Sequence, residues 1–132
     1  MTFPNACRTA ASQALHGQTN KLPTDIRFLI ARVNDLAIDL LLTGRYEAHT
    51  YLHGGLAHAS WRLVTMPVGK RHTDPEAIGF DCDLCAIINP GWGGIATPEE
   101  ASERCRRQLG EMLEHLEALV AEGPADGREG AA

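Results

Sequence analysis

Arg45-Tyr46-Glu47-Ala48-His49-Thr50-Tyr51-Leu52-His53-Gly54-Gly55-Leu56-Ala57-His58-Ala59-Ser60-Trp61-Arg62-Leu63-Val64-Thr65 is the stretch on which the fold turns. Two readings compete for it. Gly54-Gly55 suits a hairpin turn between two strands. The flanks, however, contain alanines and few β-branched residues. Wound as a helix, Ala48, Leu52, Leu56, Ala59 and Leu63 share one narrow stripe, with Glu47, Thr50, His58 and Arg62 outside it. The two glycines then cost roughly 1 kcal/mol each. The stripe favours helix, so the expected class is mainly α, with main helices at about 24–43, 46–65 and 98–122. The alternative is α+β, with a hairpin around residues 54–55.

The neighbouring segments carry clearer punctuation. From Thr24 to about Thr43, Ile26, Leu29, Ile30, Val33, Ala37, Leu40 and Leu41 recur at helical spacing, and Gly44 fits a C-terminal cap. Thr97-Pro98-Glu99-Glu100 offers an N-cap, a proline at the first helical position and a glutamate to close a capping box. Ala101, Cys105, Leu109, Met112, Leu113, Leu116 and Val120 form the apolar face that follows, before Gly123-Pro124. Residues 1–22 read as a short helix and linker, 23–122 as one helical domain with a cysteine knuckle at 78–92, and 123–132 as a disordered tail.

The chain of 132 residues has a formal net charge of -5. That length suits one domain with its own core. The charge weighs against bulk electrostatic binding of nucleic acid. No apolar run approaches the roughly 18 residues of a membrane span, and the N-terminus lacks a secretory leader pattern. The expected location is cytoplasmic, and the expected partner is another protein or the chain itself.

The chemically pointed residues are cysteines and histidines. Cys82-Asp83-Leu84-Cys85 has the spacing of a zinc knuckle, in which two thiolates converge on one tetrahedral centre. Two further ligands are required. On a helix, His49 and His53 project from one side one turn apart, which makes a Cys82, Cys85, His49, His53 set. His72 and Cys105 are substitutes. Cys105 also reads as a buried thiol in an apolar stripe. A dithiol redox pair is disfavoured, because Asp81 and Asp83 raise a nearby thiol pKa and no helix of useful length follows Cys85 before Pro90.

Hydrolase signatures are missing: there is no Gly-x-Ser-x-Gly and no His-Glu-x-x-His. The zinc-deaminase pattern fails because Asp81, not proline, precedes Cys82. Neither a catalytic residue nor an organic cofactor site is assigned, and zinc is the one cofactor expected. The leading functional expectation is a zinc-stabilised accessory or regulatory interaction module. The alternatives are a small zinc metalloenzyme with an open coordination position and a metal-free helical dimeric regulator that associates through its last helix.

Overall fold

The computed structural model describes residues 22–55, 58–88 and 97–125. Its elements run α1 (Thr24–Thr43), β1 (Tyr46–His53), β2 (Ser60–Pro67), β3 (Ile78–Asp83), a one-turn α2 (Cys85–Ile88) and α3 (Pro98–Val120). The strands form one antiparallel sheet in the order β1-β2-β3. The fold is therefore α+β, and the mainly α expectation is corrected: residues 46–65 hold two strands, as the hairpin alternative has it.

The register explains why. Tyr46 pairs with Pro67, Ala48 with Thr65, Thr50 with Leu63 and Leu52 with Trp61. Successive side chains alternate between the two faces of a strand. Tyr46, Ala48, Trp61 and Leu63 pack into the core on the helix-covered face, while Thr50 reaches Asn34 of α1. On β3 the same face holds Phe80, packed against the core, and fully buried Cys82. Residues four apart share a face in either conformation, so Ala48/Leu52 and Ala59/Leu63 fit both templates. Gly54, with φ +93°, occupies a region that favours glycine, and a Cβ there would run into the His58 carbonyl.

Both long helices lie where the sequence puts them. Gly44 ends α1 in the left-handed region, its N–H donating to the Leu41 carbonyl. At the start of α3, Thr97 Oγ1 accepts from the Glu100 N–H at 3.1 Å, and Glu100 Oε1 accepts from the Thr97 N–H at 3.0 Å. The core lies between the helices and one face of the sheet. Ile26, Val33 and Leu40 of α1 meet Leu63, Cys82, Ile87, Cys105, Leu109, Met112 and Leu116 there. Arg106 of α3 clips the helices together by pairing with Asp25 at 2.6 Å and Glu103 at 2.8 Å. Residues 1–21 of the expected short helix and linker, residues 89–92 of the expected knuckle, and the tail from residue 126 lie outside the described residues.

Candidate functional site

Cys82 sits on the inner face of β3 and Cys105 on the buried face of α3. Strand pairing and helix packing bring their Cα atoms to 5.5 Å, and the two sulfurs form a disulfide across 23 residues. That separation is ordinary for a disulfide. Cys85 takes no part in it. Asp83 Oδ1 accepts the Cys85 N–H at 2.9 Å, and the Leu84 and Cys85 N–H groups both donate to the Ala59 carbonyl at 3.0 Å. These bonds turn the chain into α2 and bury Cys85. Burial, then the nearby Asp83 carboxylate, pushes the Cys85 thiol above its ordinary value. A thiol held protonated in this way is a poor nucleophile and a poor ligand.

These positions overturn the zinc-binding reading. Metal coordination needs the Cys82 thiolate, and that sulfur is bonded to Cys105. His49 and His53 share a face of β1, but four residues of strand separate them by roughly 13 Å, against roughly 6 Å on a helix. One tetrahedral centre cannot take both. Among the described residues, no group of three or more His, Cys, Asp or Glu side chains could hold a metal ion. His49 instead meets Glu47 Oε1 at 3.3 Å and stands edge-on to His72, ring centroids 4.8 Å apart. The ring of His53 lies 6.2 Å from that of Tyr51.

His115 is a second departure. Its spacing from Glu111 suggests a surface pair. The structure turns the ring inward, where Nε2 lies 2.7 Å from Thr65 Oγ1 and the ring lies 4.9 Å from Phe80. Desolvation lowers its pKa. No local sequence signal gives this: Thr65 and Phe80 are placed toward the helices only by the β2–β3 register.

A different feature stands out on the α1 side. Among the described residues, β1 has a strand on one side only. Beside it, α1 exposes Ile38 (49%), Leu41 (53%) and Leu42 (77%), while Leu52 of β1 itself is 64% exposed. Leu41 belongs to the stripe expected to be buried, and Leu36 takes its place in the core. Asn34 Oδ1 accepts the Thr50 hydroxyl at 2.8 Å, pinning the middle of α1 to the middle of β1. Chemically, this surface presents apolar groups and main-chain donors and acceptors that no described strand pairs, the elements of macromolecular contact. The sequence marks none of Ile38, Leu41, Leu42 and Leu52 as a site, because a helix over 46–65 offers no strand edge. Among the described residues, no helix is long and apolar enough to cross a membrane. In comparisons with family models, curated proteins and solved structures, the chain matches none.

Proposed function

We propose that the chain is an accessory or regulatory interaction module that works without a metal, with the β1 edge and the adjoining side of α1 as its contact surface. One observation carries this reading: a strand edge that no described strand pairs with runs beside exposed Ile38, Leu41 and Leu42. Leaving apolar side chains in water forgoes roughly 25 cal/mol for each Å² that could be buried. The last helix is a poorer candidate for association. Its apolar residues Cys105, Leu109, Met112 and Leu116 are fully buried in the chain's own core. Among the described residues, the metalloenzyme alternative has no ligand set to rest on, for the reasons of rise and disulfide bonding given above.

A photoreactive amino acid placed at position 42, and separately at exposed position 107 of α3, tests the reading in cells producing the full chain. The expected result is one adduct of defined mass from position 42 and none from position 107. Equal labelling at the two positions, or no adduct at 42, would sink it.

A further inference from the structure

We infer that the occupant of this surface is a second copy of the chain, joined β1 to β1 in antiparallel fashion about a two-fold axis at Thr50. The inference rests on the contact surface proposed above and names its partner.

The hydrogen-bond phase of β1 comes first. Arg45 lies opposite Val68 in continuation of the β1–β2 register, and the Val68 N–H donates to the Arg45 carbonyl at 3.1 Å. Position 45 is therefore a hydrogen-bonded site of the ladder. By alternation, residues 47, 49, 51 and 53 turn their backbone groups toward β2. Tyr46, Ala48, Thr50 and Leu52 turn theirs toward the open edge, where a second antiparallel strand can meet them.

Side chains then select the register. With Thr50 on the axis, Glu47 falls opposite His53 of the second copy, His49 opposite Tyr51, and Ala48 opposite exposed Leu52. Moving the axis to His49 sets Glu47 against Tyr51 and His53 against Arg45. Moving it to Tyr51 sets His49 against His53. An axis at Ala48 is also in phase and sets Glu47 against His49, but it engages only residues 46–50 of β1. Among the registers that engage most of the strand, that centred on Thr50 pairs Glu47 with an imidazole, and complementary polar pairs across strands favour pairing.

The helix has the same centre. Asp25 of α1 pairs with Arg106 of α3, while Asn34 pairs with Thr50 of β1. The step of nine positions from Asp25 to Asn34 turns the helix by about half a revolution, so these sides are opposite. Ala31, Ile38 and Leu41 lie within about 60° of Asn34, on the side away from α3. A two-fold axis at Thr50 lays two α1 helices antiparallel, crossing near Asn34, with Ala31 facing Ile38 of the second copy. The midpoint of the strand pattern and that of the helix pattern are the two residues joined by the 2.8 Å hydrogen bond.

The two edges of the sheet differ in the expected way. β1 carries no lysine, arginine or proline to discourage pairing. β3 carries Asp81 and Asp83, which would repel their counterparts in a copy of the same strand. The resulting contact is isologous and closes at two chains. It merges two three-stranded sheets into one of six.

Light scattering coupled to size exclusion, on the full chain at tens of micromolar, is expected to give twice the 14.3 kDa chain mass. Leu52→Lys, at an exposed position, is expected to return the mass to one chain with the near-ultraviolet dichroism unchanged. Under mild oxidation, Thr50→Cys is expected to form a covalent dimer through the axis, and Ala48→Cys is not. A native chain that stays monomeric would overturn the inference, as would a dimer that survives Leu52→Lys or equal crosslinking from the two cysteine variants. A monomer whose position 42 still yields one adduct of another mass would remove the second copy and leave the contact surface standing.

Discussion

α1 and α3 cover the same face of one sheet and have similar lengths, 20 and 23 residues, yet they end in opposite states. The large apolar residues of α3 are buried or half-buried, its outer face is charged, and the disulfide ties it to β3. α1 buries a comparable face but keeps Phe28, Ile38, Leu41 and Leu42 in solvent, on the side of the sheet whose edge no described strand covers. A helix with one apolar stripe is finished by its own core. A helix with apolar residues on a second side is not. The difference separates the half of the molecule that builds the fold from the half on which the proposed contact rests.

The comparison breaks most directly through paired truncations. Leu109 of α3 is fully buried, and Leu109→Ala is expected to cost about 2–5 kcal/mol of stability. Leu42→Ala on α1 is expected to stay within about 0.5 kcal/mol when measured on isolated chains. Urea unfolding at concentrations low enough to dissociate any dimer reads both. Similar losses from the two variants would mean that the helices are alike after all.

Next in size is the Cys82–Cys105 bridge, which tightens only the α3 side. Closing a loop of 23 residues stabilises a fold by about 3 kcal/mol in the chain-entropy account. Reductant is expected to lower the unfolding free energy by that amount. A thiol count sharpens the result. Cys82 and Cys105 are expected to escape alkylation in the denatured, unreduced chain and to alkylate after reduction, read peptide by peptide. Alkylation of both in the unreduced chain, with chelator present, would mean free thiols at positions 82 and 105. The count on protein taken directly from cells also bears on location, since such bridges persist in oxidising compartments and are rare in the cytosol.

A smaller effect belongs to the start of α3. Thr97→Ala removes the hydroxyl that accepts the Glu100 N–H and is expected to cost about 1 kcal/mol. Hydrogen exchange should speed up in the first turn of α3 and leave α1 unchanged. An equal response in α1 would show that the two helices unfold as one unit from that end.

The ease of reading each part followed the length scale of its signal. Both long helices were legible because their caps are local: Gly44 after α1, and Thr97-Pro98-Glu99-Glu100 before α3. β1 and β2 were misread because spacings of four suit period 2 and period 3.6 alike. Tyr46 and Thr50, spaced by two from Ala48 and Leu52, held the deciding information, along with the aromatic and threonine content of the segment. The cysteines failed for a different reason. Cys82 and Cys85 are close in sequence, but the strand turns Cys82 toward α3 while Asp83 bends the chain before Cys85. The true partner, Cys105, lies on a buried helix face 23 residues away, and only the packing of α3 on β3 brings it near. His49 and His53 lost their joint role once strand rise replaced helical rise.

The subtlest contrast is in acid sensitivity, and His115 carries it on the α3 side. Its ring is half-buried against Phe80 and Thr65, and desolvation holds its pKa below the ordinary imidazole value of about 6.5. Above that pH the ring is neutral in both folded and unfolded chains, and its contribution is complete. As pH falls below about 6.5, the unfolded chain takes up the proton first. Stability is then lost progressively until the pH has passed through the depressed folded pKa. His115→Gln removes the titration, so the stability of the native chain minus that of the variant should fall between about pH 7 and pH 5. Carboxylates common to both proteins cancel in the difference. A difference that stays flat would mean that the ring is as well solvated in the fold as outside it. A difference that rises on acidification would mean that a negative partner stabilises the imidazolium, with Glu111, one turn earlier on α3, the first place to look.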